Sequence, residues 1–153
     1  MATYTKINDW MENLHEAGVA ILTDTIELSL TNTAPASETS NPTADTNGIL
    51  ANITPITYTN YTDDLTADRV LTAGTRLSTT ASGVYTLDYG ADIVITASGG
   101  AIADFRYIYL FDNTITSPVD PLISVWDHGS AIALGTGDSA TFQVNASGFY
   151  TVT

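Results

Sequence analysis

The chain has 153 residues, a formal net charge of −13 and no cysteine. The absence of cysteine excludes disulfide bonds, thiol catalysis and Cys-type zinc sites. The net negative charge argues against nucleic acid as a partner, because contact with a phosphate backbone requires clustered Lys and Arg. The length indicates a single domain over residues 1–153 with its own core, and the threonine-rich, charge-poor composition favours β structure.

The first predicted element is the only helix, over residues 4–17, and Gly18 suits a left-handed stop after it. Apolar residues recur within it at i, i+3, i+4 and i+7, which places them on one face. These residues are Ile7, Trp10, Met11 and Leu14. We expect this face to pack on the protein's own sheet. The alternative is a docking arm that buries Trp10 against a partner subunit.

Three further segments are predicted before residue 57. Residues 25–30 alternate as a strand with Ile26, Leu28 and Leu30 inward. Residues 32–47 are polar and contain two prolines, which predicts a long surface loop. Residues 49–56 predict a short strand near a sheet edge, because Pro55 interrupts it.

The middle of the chain gives a weaker pattern than its last third. Residues 58–73 predict a loop or a helical turn that carries Asp63 and Asp64. Short alternating segments closed by Gly, Asp, Asn or Ser then predict strands. These strands are 76–79, 84–89, 92–96, 105–111, 121–126, 131–134, 141–144 and 149–152. Residues 127–130, Asp-His-Gly-Ser, predict a tight turn between two of them.

The predicted fold class is therefore mainly β. We expect an antiparallel β-sandwich or barrel, of jelly-roll or Ig-like type, with one short N-terminal amphipathic helix. Strand order, and with it the choice between sandwich and barrel, is not readable from such patterns. The N-terminus has no apolar signal-peptide core and no stretch reaches the length of a membrane span, so we expect synthesis in the cytoplasm and no membrane partner.

Reactive side chains are few, and we expect no enzyme, no catalytic residue, no metal and no cofactor. His15 falls on the polar side of the helix, and His128 lies in the predicted turn. The acidic residues near Asp63 lack the spacing of a paired-carboxylate glycosidase site. Calcium is the alternative interpretation of that acidic loop, but a solvated loop is the simpler one.

Arg106 is the polar residue that stands out, because it interrupts the apolar run 105–111. A guanidinium in such a strand has to reach an acidic group or the surface. We expect a structural ion pair, and the alternative is a contact between subunits.

Several segments together resemble a group of small tailed-bacteriophage virion proteins, the capsid decoration (cement) proteins. The resemblance covers the N-terminal helix, a strand ending in Leu-Thr-Asn-Thr-Ala-Pro, an Arg-Tyr strand, and Pro-Leu-Ile before an aromatic-Asp-x-Gly segment. Here these are 10–18, 30–35, 106–113 and 121–129. Each segment is short, and none is a catalytic motif.

The resemblance implies a β-rich structural protein, present in many copies on the outer surface of a phage head. Its implied partner is the major capsid protein, and self-association into a dimer or trimer is expected. The partner-binding elements would be the apolar helix face, the loop 32–47, Arg106 and the acidic loop with Asp63 and Asp64. The alternatives are an exposed carbohydrate- or host-binding module of a head fibre or tail, with Tyr58, Tyr61 and Tyr85 as stacking platforms, and another minor tail protein.

Overall fold

The structure, a computed structural model, describes residues 2–34, 48–57, 59–60, 70–71, 76–81, 84–89, 92–143 and 150–152. For the strands at 70–71, 76–81, 84–89 and 150–152 it describes the backbone. Most of the predicted loop 32–47 lies outside the described residues, and so does most of the segment 58–73, including Asp63 and Asp64.

Strands make up most of the regular structure in this part of the chain. They are β1 (Thr3–Lys6), β2 (Ile26–Thr31), β3 (Val70–Leu71), β4 (Arg76–Ala81), β5 (Val84–Tyr89), β6 (Ile93–Thr96), β7 (Ile102–Asp112), β8 (Leu122–Leu134), β9 (Ser139–Phe142) and β10 (Tyr150–Val152). One α-helix, α1, spans Trp10–Glu16, and a 3₁₀ helix spans Leu50–Asn52.

The described strands form three sheets in which every pair is antiparallel. The largest has five strands in the order β1-β8-β7-β2-β3, the second has three in the order β10-β5-β4, and β6 pairs with β9. The prediction of a mainly antiparallel β fold with one helix is confirmed. None of these sheets closes on itself among the described strands, which matches a layered arrangement better than a barrel.

Strand β2 is buried on both faces. The inward positions of Ile26, Leu28 and Leu30 are confirmed, but Glu27 and Thr31 on the other face are also buried. The segment after the 3₁₀ helix covers one end of β2, where Ile56 N donates to the Leu30 carbonyl at 2.9 Å. The alternating pattern correctly predicted a strand, but not that both of its faces are covered.

The N-terminal prediction was wrong in its boundaries. Residues 4–17 were expected to be one helix, whereas Thr3–Lys6 form β1 and the helix begins only at Trp10. The reason is the backbone pairing of β1 with β8, in which Thr5 lies opposite Val125. Gly18 has a φ of 73°, as expected for the residue after a helix end.

Residues 49–56 do not form the predicted strand. They contain the 3₁₀ helix Leu50–Asn52 and only two isolated bridges, Ile49 with Pro121 and Pro55 with Thr31. A proline has no N–H with which to continue a ladder, so Pro55 limits the second bridge to one position.

The predicted turn at 127–130 is instead a bulge inside one strand. β8 runs through it, and the register changes from Tyr107 opposite Asp127 to Phe105 opposite Ile132. The extra residues on β8 are accommodated by Gly129, whose φ is 91° and whose N–H donates to Asp127 Oδ1 at 2.7 Å. Asp127 and Gly129 therefore stabilise the local backbone conformation, as expected, but they do so in a bulge rather than in a turn.

Replacing Trp10 with Ala should lower the free energy of unfolding by about 3–5 kcal/mol. The side chain is 1% exposed, so its removal leaves a large cavity. Urea denaturation followed by the fluorescence of Trp126 measures the effect. The control is Glu12→Ala on the exposed side of α1, which should change stability by less than about 0.5 kcal/mol. A Trp10→Ala variant as stable as that control would contradict the burial of this face.

Candidate functional site

The apolar face at the start of the chain belongs to the protein's own core. Ile7 and Trp10 are 0% and 1% exposed, and Met11 and Leu14 pack partly buried against the same core. Ile7 N also donates to the carbonyl of Ile123 at 3.2 Å. The structure therefore supports packing of this face on the protein's own sheet rather than docking of Trp10 against a partner subunit. The assignment of Ile7 and Trp10 to partner binding is corrected accordingly, since their side chains are not accessible in this fold.

The opposite face of α1 forms one wall of a surface cleft of about 350 Å³. The other wall comes from the segment between β7 and β8. The helix side of the cleft is lined by Asp9, Glu12, Asn13 and Glu16, and the other wall is lined by Ser117 and Pro118. Glu12 and Glu16 are four positions apart on α1, so they share one face of the helix, and Asp9 is the residue just before it. Among the described residues that line the cleft there is no Lys or Arg.

Arg106 makes a bidentate ion pair with Asp127 across the β7–β8 ladder. Its Nε donates to Oδ1 at 2.7 Å and its Nη2 to Oδ2 at 2.9 Å. The guanidinium carbon also lies 5.0 Å from the centroid of the Tyr107 ring. The hydrogen bond lowers the pKa of Asp127 and raises that of Arg106. The predicted structural ion pair is confirmed, and a contact of Arg106 between subunits stays a prediction.

The other predicted binding residues are not described. Asp63, Asp64, Tyr58 and Tyr61 lie outside the described residues, and of Tyr85 only the backbone in β5 is described. Their roles as an acidic contact loop or as stacking platforms stay predictions.

The histidines lie at surface positions and bond to the backbone of their own elements. His15 Nδ1 is 2.7 Å from the Met11 carbonyl on α1, and His128 Nδ1 is 3.1 Å from the Ser130 carbonyl in the bulge. No group of three or more His, Cys, Asp or Glu side chains among the described residues is arranged to hold a metal ion.

Two buried carboxyl groups meet where the end of β7 passes the start of β2. Asp112 is 0% exposed and Asp24 is 8% exposed. Asp112 Oδ1 accepts a hydrogen bond from Thr114 N at 2.8 Å, and Asp24 Oδ2 accepts one from Ala20 N at 2.6 Å. Burial raises the pKa of Asp112 to about 6, and the charge on Asp24 adds to the effect.

A third acidic side chain, Glu27, lies on the neighbouring position of β2. It is 1% exposed, and Asn113 Nδ2 donates to its Oε1 at 2.6 Å. Asp112 lies opposite Ile26 in the ladder, so Glu27 is one position away from the carboxyl pair. Because Glu27 is inside the fold, its side chain is not available for surface binding.

An aromatic cluster connects the five-stranded sheet to the β6–β9 pair. Trp126 packs edge-to-face with Tyr4 at 5.3 Å and with Phe142 at 4.8 Å between ring centroids. Tyr4 is 37% exposed, so part of the cluster faces solvent. Edge-to-face pairs of this kind add about 0.5–1.5 kcal/mol beyond the burial of their area.

Neither the cleft nor the carboxyl pair was predicted from the sequence. The spacing of Asp9, Glu12 and Glu16 is visible in the sequence and marks one helix face, and this signal could have identified one wall. The second wall, Ser117 and Pro118, lies about a hundred residues further along the chain, and no local pattern connects the two. The contact between Asp24 and Asp112 is hidden for the same reason.

Comparison with protein-family models, with curated proteins and with solved structures finds no match to this chain. Within the described residues, no helix combines the length and the apolar character needed to cross a membrane.

The Asp112→Asn variant should respond less to pH than the parent protein. The folded pKa of about 6 lies above the ordinary value of 3.8, so the stability contributed by Asp112 is fully present below about pH 4 and is lost as the pH rises through about 6. Asn stays neutral and keeps an oxygen for Thr114 N. Relative to the parent, the variant should therefore gain stability between about pH 4 and pH 8, on the order of 2–3 kcal/mol.

Urea denaturation at a series of pH values measures this difference. Asp104→Asn is the matched control, because Asp104 is an exposed carboxylate elsewhere on β7 and its removal should leave the shape of the pH profile unchanged. Parallel profiles for the parent and Asp112→Asn would contradict the raised pKa.

Proposed function

We propose that the protein is a capsid decoration (cement) protein, a structural virion component that binds the outer surface of a phage head and bridges neighbouring capsid subunits. The observation that carries this proposal is where the resembling segments lie in the fold. Residues 30–35, 106–113 and 121–129 begin in or overlap β2, β7 and β8. These strands are hydrogen-bonded neighbours, so segments that are far apart in the chain make one continuous part of the five-stranded sheet.

The surface chemistry supports the same proposal. A net charge of −13 suits a protein on the outside of a shell, where packaged DNA is not contacted. The described surface carries the Arg106–Asp127 pair and the cleft beside α1, and charged and polar groups of this kind contribute to protein contacts.

The proposed function requires only that the protein bind the assembled shell more tightly than it binds loose capsid subunits. A protein that binds adjacent subunits of the assembled shell, but not loose subunits, stabilises the shell by mass action. Its partner is the major capsid protein, and a dimer or trimer of this chain would match the symmetry of positions on such a shell.

The aromatic cluster favours a second candidate function, a carbohydrate- or host-binding module. Sugar rings stack on exposed aromatic side chains, and Tyr4 is 37% exposed beside Trp126. A glycan array separates the two candidates, because a binding module retains specific sugars in the absence of any shell. If Tyr4→Ala removes such retention, the carbohydrate function is favoured over decoration.

Purified protein added to phage heads that lack it should bind at saturation in hundreds of copies, a number fixed by the shell symmetry. Sedimentation followed by densitometry of the two protein bands measures the ratio of this chain to the major capsid protein. Decorated heads should also release their contents at a higher temperature than undecorated heads.

Unassembled capsid subunits are the control, and they should bind far more weakly because the bridged site is absent. Binding of a dozen copies or fewer per head, or heat resistance that is unchanged at full occupancy, would contradict a decoration function.

A further inference from the structure

We propose that the buried carboxyl groups of Asp24 and Asp112 share one proton, and that this proton clamps the connection after β7 to the segment before β2 in a pH-dependent way. The connection is 113–121, which leads from the end of β7 to β8 and carries Ser117 and Pro118 on one wall of the surface cleft. The inference concerns how the fold responds to pH, and it holds whether or not the protein binds a phage head.

The hydrogen bonds of Asp112 leave one of its oxygens without a donor. The residue is 0% exposed, and its Oδ1 accepts from Thr114 N at 2.8 Å. Its Oδ2 is buried and accepts no hydrogen bond from any described residue. The Asp24 carboxyl lies within hydrogen-bonding reach of Asp112. Because ionised carboxylates are acceptors only, a hydrogen bond between the two groups requires a proton on one of them.

The charged groups of the elements that meet at Asp112 favour that proton. β2 contributes Glu27, the connection ends with Asp120, and the start of β8 is uncharged. The described cation of β7, Arg106, is held in its own surface ion pair. Burial and the negative charge of Asp24 together raise the pKa of Asp112 to about 6. One shared proton therefore relieves both the cost of burial and the repulsion between the two carboxylates.

The same two carboxyl groups hold the backbone on both sides of the joint. Asp24 Oδ2 accepts from Ala20 N at 2.6 Å, and Asp112 Oδ1 accepts from Thr114 N. Thr25 N also donates to Thr114 Oγ1 at 2.8 Å. When the shared proton is lost, two buried negative charges face each other, and they separate only if the connection moves away from the segment before β2. The clamp is therefore fully present below about pH 4 and is lost as the pH rises through about 6.

A pH titration of the isotope-labelled protein, followed by NMR, tests the shared proton. We expect the side-chain carboxyl carbons of Asp24 and Asp112 to shift together with one midpoint near pH 6, because strongly coupled groups titrate as a pair. Asp24→Asn should move the Asp112 midpoint to lower pH, since it removes the facing negative charge. The control is Asp104→Asn, which removes an exposed carboxylate elsewhere on β7 and should leave the midpoint unchanged.

An Asp24 carbon that does not shift near pH 6 would overturn the shared proton. An Asp112 midpoint that is the same in the parent protein and in Asp24→Asn would overturn it as well.

Amide hydrogen exchange tests the clamp. The amides of Asn113 and Thr114 at the joint should be less protected than that of Tyr109 in the central ladder, because local opening requires less free energy than global unfolding. Their protection factors should fall about a hundredfold between pH 4 and pH 7 and then level off. This factor corresponds to a rise of about two pH units in the pKa of Asp112.

Two variants make the exchange test specific. The fall in protection should disappear in Asp112→Asn and should be smaller in Asp24→Asn, so the result does not depend on the folding of one variant. Protection at the joint that is independent of pH in the parent protein, or equal to the protection of Tyr109, would overturn the clamp. An unchanged fall in both variants would also overturn it.

Discussion

The antiparallel pairing of β7 with β2 on one side and β8 on the other is the interaction on which the described fold depends. It brings together residues far apart in the chain, such as Ser29 with Tyr109 and Leu110 with Ser124, and all four are buried. Most of the core lies on these three strands or packs against them. The pairing also fixes both surface features with candidate roles, because Arg106 meets Asp127 across the β7–β8 ladder and the second wall of the cleft follows β7 directly.

The short helix α1 serves both the core and the surface. Trp10 on one face is buried, so the helix is held in place by burial of apolar area even though seven residues are too few for a stable isolated helix. Because α1 is anchored in this way, its opposite face can carry Glu12 and Glu16, whose mutual repulsion would destabilise an isolated helix.

The sequence was sufficient to predict those elements whose residue pattern is local. The alternation around Leu28 and the strand at 84–89 were predicted correctly, and so was the apolar face that contains Trp10. It was insufficient to predict structure that depends on pairing between distant segments. Thr3–Lys6 form a strand because β8 lies beside them, and Gly129 lies in a bulge because β8 continues to pair with β7 beyond it. The site follows the same rule. Arg106 was identified from its own strand, whereas the cleft depends on a wall that no local pattern predicts.

The proposed function is that the protein binds an assembled protein shell as a structural component. A cryo-electron microscopy reconstruction of the virion that contains this chain tests it most directly. A decoration function predicts density for the five-stranded sheet on the outer surface of the head, at positions repeated by the shell symmetry and in contact with at least two capsid subunits. Density confined to a tail, a fibre or the interior of the head would contradict it.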